Sequence, residues 1–168
     1  PAFRPSVSRH NVRLTTSVSG NLNTWAGAPD TMDAVMPALR TSSGSPIRVD
    51  FLASKLLSVT GKLGLTIAPG KKDPSGGWNR DLATDLARLA GHYRTRVLVS
   101  LMEPHEYTRL GIVDLAECAK PLGIKVIHFP IRDVRPPSKT RMKEFAALIT
   151  GLRRSLDRGD TVVVESHP

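Results

Sequence analysis

The chain has 168 residues, 40% of them hydrophobic, a length that suits one domain with an extension and a content that supports a true core. No apolar run reaches the roughly 18 residues that a membrane span needs, so a soluble protein with no membrane partner is expected. The formal net charge of +9 favours anionic partners, but Lys and Arg never cluster beyond a pair and no DNA- or RNA-reading motif is present, so phosphate esters outrank nucleic acid.

Residues 1–46 are rich in Ser, Thr, Asn, Gly and Pro, with no acidic residue before Asp30. Low complexity of this kind predicts a disordered N-terminal extension. Pro37 works against the short helix that Thr31–Leu39 would otherwise form. The acid-poor start also fits an organelle transit peptide, although no convincing amphipathic face accompanies it; no secretory hydrophobic region is visible.

From residue 47 to residue 168 the pattern becomes that of an α/β domain. KLGLTIAPG (Lys62–Gly70) reads as a buried strand stopped by Pro-Gly, with the loop KKDPSGGWNR behind it. In DLATDLARLAGHY, Leu82, Leu86 and Leu89 share one helical face, Asn79 or Asp81 can cap the start, and Gly91 can stop the end. RVLVSL (Arg96–Leu101) is a second strand, continuously apolar as parallel strands are. Glu103–Pro104 opens a short helix, IVDLAECAKPLG forms another closed by Gly123, and IKVIHFP is the third strand. The prolines of IRDVRPP demand a loop. SKTRMKEFAALITGLRRSLDRG is the longest helix, with Ser138 as N-cap, Met142, Phe145, Leu148, Ile149 and Leu152 on its apolar side, and Gly159 as stop. TVVV (Thr161–Val164) is the last strand.

Strands and helices alternate about every 30 residues, which predicts a three-layer α/β fold, a parallel central sheet with helices on both faces. Such sheets bind ligands at the carboxyl ends of their strands. Function is therefore expected in the loops Pro69–Arg80, Ser100–His105 and Ile131–Pro137, and in whatever follows Val164.

At HFPIRDVRPPS the pattern becomes specific. A strand ending in Phe-Pro, then Ile-x-Asp and a proline-rich turn before a Ser-capped helix, resembles the mobile acid loop of protein-tyrosine phosphatases. GLTIAPGKKDPSGGWNRDLATDL resembles the opening of the catalytic domain in the kinase-associated phosphatase (cyclin-dependent kinase inhibitor 3) family, a branch of the dual-specificity phosphatases. From about Lys62 to Val164 the order of the pieces is similar to that family's. The resemblance implies a phosphorylated protein or other phosphoester as partner and a two-step hydrolysis. A cysteine thiolate attacks phosphorus, an aspartic acid protonates the departing oxygen, and the same aspartate then activates water against the phosphocysteine. Asp133 stands at the general-acid position, on a loop that Pro136–Pro137 would stiffen.

In that family the last strand runs into His-Cys-x5-Arg, a loop whose backbone N–H groups hold phosphate. Here Glu165 falls where the histidine belongs and Ser166 where the nucleophilic cysteine belongs, followed by His167 and Pro168. A serine cannot replace the thiol, because its hydroxyl ionises far too high without a general base. The expectation is a truncated phosphatase-like domain that lacks the C-terminal helices, exposes apolar side chains at about 1.5–3 kcal/mol each, and is inactive. The alternative is a pseudophosphatase, a binding module for protein partners.

Other residues invite a role. Lys71 and Lys72, after the first strand's Pro-Gly, and Arg132 and Arg135, beside Asp133, are candidate substrate-binding residues, although each can equally be a solvated loop cation. Trp78 reads as a packing anchor for its Gly-rich loop. Glu103 and His105 look like a catalytic pair, but Pro104 between them marks a helix start and Glu106 fits an ordinary first-turn charge. Cys118, the single cysteine, excludes an internal disulfide and a cysteine-based zinc site, suits a reducing, cytoplasmic setting, and is expected to pack in the core from its helix. His10, His92, His105, His128 and His167 show no ligand spacing, so neither a metal nor a cofactor is expected.

Overall fold

The apolar runs pair into one five-stranded sheet in the computed structural model, which describes residues 38–132 and 135–166. Its order is β1 (Asp50–Phe51), β2 (Lys62–Ile67), β7 (Thr161–Ser166), β5 (Thr95–Ser100) and β6 (Lys125–His128). β2, β7, β5 and β6 run parallel, and the short β1 adds an antiparallel edge. A separate hairpin of β3 (Lys72–Asp73) and β4 (Trp78–Asn79) forms inside the stretch expected to be plain loop. β7 is central because both its faces are apolar: Val162 and Val163, on opposite sides, are fully buried.

Helices cover both faces. On one side Leu86 and Leu89 of α1 (Leu82–Gly91), with Leu115 and Ala119 of α3 (Leu115–Ala119), pack on Leu98 and Val163. Met102, Leu110 and Ile112, which bracket α2 (Pro104–Arg109), complete that layer. On the other side Leu152 and Leu156 of α4 (Met142–Asp157) meet Val97, Val99 and Val162. The result is the expected three-layer α/β fold, with a mostly parallel sheet. No helix among the described residues is long and apolar enough to cross a membrane.

Local chemistry sets the ends of the helices. Asp81, not Asn79, caps α1, its carboxylate accepting from the Thr84 N–H at 2.7 Å. α1 includes Gly91 and is capped by His92. Ser138 opens a short 3-10 turn, Lys139–Arg141, and makes no capping bond, so α4 starts four residues later than its expected cap, at Met142. The apolar side of α4 is also narrower than its sequence suggests. Leu152 and Leu156 are buried, but Met142 and Ile149 are each 48% exposed. Leu65 of β2, on α4's side of the sheet by alternation from Leu63, stays 52% exposed.

Two further expectations are corrected. Cys118 is exposed, because α3 turns Leu115 and Ala119, one helical turn apart, to the core and leaves Cys118 off that stripe. The packed chain also begins ahead of residue 47. The Arg40 N–H donates to the Gly77 carbonyl at 2.8 Å, and Ser42, itself buried, accepts from the Asp81 N–H at 2.8 Å. This strap holds the start of α1, so the extension expected over 1–46 is too long by that stretch. Residues 1–37, with most of the expected Thr31–Leu39 helix, lie outside the described residues.

Candidate functional site

The chain passes from β2 to β5 and β6, then returns to set β7 between β2 and β5. Crevices of parallel sheets open where the strand order reverses, so the carboxyl end of β7 is the place to look. Glu165 and Ser166 stand there, Glu165 level with Thr66 and Ser100, and Ser166 level with Ile67. Alternation sends them to opposite faces. Glu165 shares the α1–α3 side with Val163, and Ser166 shares the α4 side with Val164.

Glu165 is fully buried, and neither of its carboxylate oxygens has a fully formed hydrogen bond among the described residues, the Ser100 hydroxyl being the polar group that acts on it. The Ser100 hydroxyl, level with it, is engaged by the phenol of Tyr107. Burial pushes the Glu165 carboxyl up to about 7; the Ser100 hydroxyl opposes the shift and the Glu106 carboxylate adds to it. Burial likewise pushes the Tyr107 phenol up to about 12. The strand end thus holds an acid that titrates near neutrality, next to a hydroxyl pair. Sequence gives one signal for its burial: Glu165 has the same parity as Val163 in a strand buried on both faces.

The loop after β2 is pinned by an interaction that motif reading misses. Asp85, on α1, accepts both a bidentate bond from Arg80 at 2.7 and 2.8 Å and the Gly70 N–H at 2.9 Å. Arg80 also donates to the Ser45 carbonyl at 2.8 Å, and both charged residues are buried. The visible clue is an acid placed on the leucine stripe of α1, between Leu82 and Leu89. Trp78 anchors this loop as expected, with the Arg40, Lys71 and Arg80 cations 4.8, 5.5 and 5.8 Å from its ring centroid.

The candidate substrate residues fall in different places. Lys71 is buried with its ammonium over Trp78, and burial lowers its pKa while Asp73 raises it. It therefore belongs to the floor of the loop and is no exposed phosphate contact. Lys72 is exposed on β3, with its N–H donating to the Leu110 carbonyl at 2.9 Å. Arg132 and Arg135 are exposed and come together, lining with Arg141, Glu103 and the flanking prolines a cleft of about 460 Å³. Arg141 is held there by the Pro130 carbonyl at 2.6 Å and stacks 4.1 Å from the Phe129 ring centroid. Ser166 lines a different cleft of about 300 Å³, with Trp78, Arg80, Arg48 and Ile67. Asp133 lies outside the described residues. Glu103 and His105 form no catalytic pair: the Glu103 N–H donates to the Glu106 carboxylate at 2.7 Å in a capping box, and His105 is exposed.

No family model matches the sequence, and no curated protein matches it. Among solved structures, the chain is similar to a kinase-associated phosphatase whose catalytic-site cysteine is replaced by serine. The match has a TM-score of 0.64 at 19% identity, covering 73% of this chain and 66% of that one. The chain thus spans just under two thirds of that structure's length. A protein from Leishmania major assigned as a protein tyrosine phosphatase matches at 24% identity and a TM-score of 0.45, over 70% of this chain and 68% of that one. The fold is protein-tyrosine-phosphatase-like.

Proposed function

We propose that this is a domain of the cysteine-dependent dual-specificity and tyrosine protein phosphatases, of the kinase-associated kind. Its partner is a phosphorylated protein in a reducing, cytoplasmic setting, and these 168 residues hydrolyse no phosphoester unaided. One observation carries the reading. The central parallel strand brings Glu165–Ser166 to the carboxyl end of a sheet whose fold is similar to that of a kinase-associated phosphatase.

In the two-step reaction a thiolate forms a bond to phosphorus as the ester oxygen leaves, and an acid supplies that oxygen's proton. Asp133 has the acid's place in this chain. The nucleophile's place is taken by Ser166, whose hydroxyl needs a base to ionise near neutral pH. Its neighbour Glu165 cannot serve, since it is buried on the opposite face of the strand. Cys118 belongs to α3 and takes no part. Arg132 and Arg135, with Arg141, supply the cations that attract the phosphorylated segment. The Glu165–Ser166 pair also favours a second reading, a pseudophosphatase that binds protein partners without turnover.

Two measurements on the 168-residue chain test this. It should leave an aryl phosphate unhydrolysed; turnover that disappears in Asp133→Ala would show that the domain is catalytic as it stands. A phosphopeptide should bind more tightly than its unphosphorylated form, and Arg132→Ala with Arg135→Ala should erase the difference. Equal affinity for both peptides would favour the binding-module reading.

A further inference from the structure

The opposite end of the sheet carries a second concentration of polar groups. A cavity of about 300 Å³ lies at the start of β5, lined by Ala90, Gly91, Arg94, Thr95, Arg96 and Leu122. Its volume sits at the small end of the range for small-molecule pockets. We infer that it is a binding site for a small phosphorylated polyol, such as a sugar phosphate. Arg94 and Arg96 would hold the phosphate, and the last carbonyls of α1 would accept from the ligand's hydroxyls.

The backbone is bent twice within this short stretch. Arg94 has φ of 54°, the left-handed region that a residue with a side chain adopts only at a cost. One residue on, the pairing of β5 with β7 slips between Thr95 and Val97, so Arg96 is the extra residue of a bulge. Bulges re-aim side chains and gather next to functional sites. Together the two irregularities bring successive residues 94–96 to one cavity, which a regular strand would send to alternate faces.

The polar groups gathered there lack the partners that would explain them structurally. Among the described residues Arg94 and Arg96, both exposed, make neither a salt bridge nor a side-chain hydrogen bond, while six other arginines do. Thr95 is 2% exposed and its hydroxyl has no hydrogen-bond partner, an orphaned group of the kind that buried sites rarely leave unmade. Arg96 lies over the backbone of Gly123 without bonding to it. His92 and Tyr93 both donate to the Arg88 carbonyl, and among the described residues the carbonyls of Ala90 and Gly91, two residues that line the cavity, accept no backbone hydrogen bond. Those carbonyls would repel a bare anion. A ligand that pairs an oxyanion with hydroxyl donors satisfies guanidinium and carbonyl together.

Calorimetric titration of the 168-residue chain with glucose phosphate, glucose and inorganic phosphate tests the assignment. Glucose phosphate should bind more tightly than inorganic phosphate, and glucose not at all. Arg94→Gly, which fits the left-handed backbone without strain, and Arg96→Gln should each weaken glucose phosphate by about tenfold or more, the loss of one charge-assisted hydrogen bond. Urea melts of both variants establish that they fold. No binding by the parent chain, or unchanged affinity in both variants, overturns the inference. Equal affinity for inorganic phosphate and glucose phosphate overturns the polyol part. Arg132→Ala with Arg135→Ala should leave this binding untouched; if it abolishes it, the ligand sits at the phosphatase edge and the inference fails while the proposed function does not.

Discussion

Replacing Glu165 by Gln should turn a pH-dependent stability into a flat one. In the folded chain burial holds this carboxyl up at about 7, against an ordinary value of 4.5. Below the ordinary value both states are protonated and nothing is lost. As pH rises from there towards 7, the unfolded chain releases its proton while the folded chain keeps it, so stability falls. Above 7 both are charged and the loss is complete. Each pH unit that separates the two states is worth about 1.36 kcal/mol, which makes the full loss about 3 kcal/mol. That is a large fraction of the roughly 5–15 kcal/mol that holds a domain together. Glu165→Gln keeps the shape and removes the titration. Any fixed cost of burying the amide is the same at every pH and cancels. Urea melts of both proteins at about pH 4 and pH 8, on either side of the titration, give the answer. The variant should gain about 3 kcal/mol relative to the parent between weakly acidic and weakly alkaline solution. If the difference between the two proteins is the same at both pH values, Glu165 is not a buried neutral acid, and the electrostatic account of the end of β7 is wrong.

Two further outcomes follow from the loop after β2. Asp85→Ala strands the Arg80 guanidinium in the core and frees the Gly70 N–H, so urea melts should show a loss of about 3–5 kcal/mol. Asp81→Ala removes only an exposed cap on α1, and the same melts should show about 1 kcal/mol.

The parallel strands and the helices that flank them are legible in the sequence, because continuous valine and leucine runs and the stripe Leu82–Leu86–Leu89 have one structural solution each. Gly123 and Gly159 mark helix stops for a physical reason, their positive φ of 73° and 88°. The elements missed are those that tertiary contact creates. β1 and the β3–β4 hairpin are two residues per strand, too short for a period, and the Arg40–Ser45 strap has a polar composition that reads as loop. Met142 and Ile149 follow helical spacing and still face outward, since spacing names a stripe and cannot say how wide a neighbour covers it. At the site, strand ends and loops are predictable from topology, but the burial of Lys71 beneath Trp78 and of Glu165 on the inner face depends on contacts between distant segments. The Arg94–Arg96 pair has no sequence signature, because a bulge, not a motif, assembles it.

β7 joins β2 to β5, which have no pairing with each other, and its register sets Lys62 against Thr161. Assembly must therefore close the long separation between Lys62 and Thr161 before the two halves of the sheet, β1–β2 and β5–β6, become one. Until Thr161–Ser166 dock, the strands on either side each offer a bare edge, the template on which stray chains pair. Such distant closure makes for slow acquisition of structure and, on a ribosome, a long interval in which chaperones have these strands to hold.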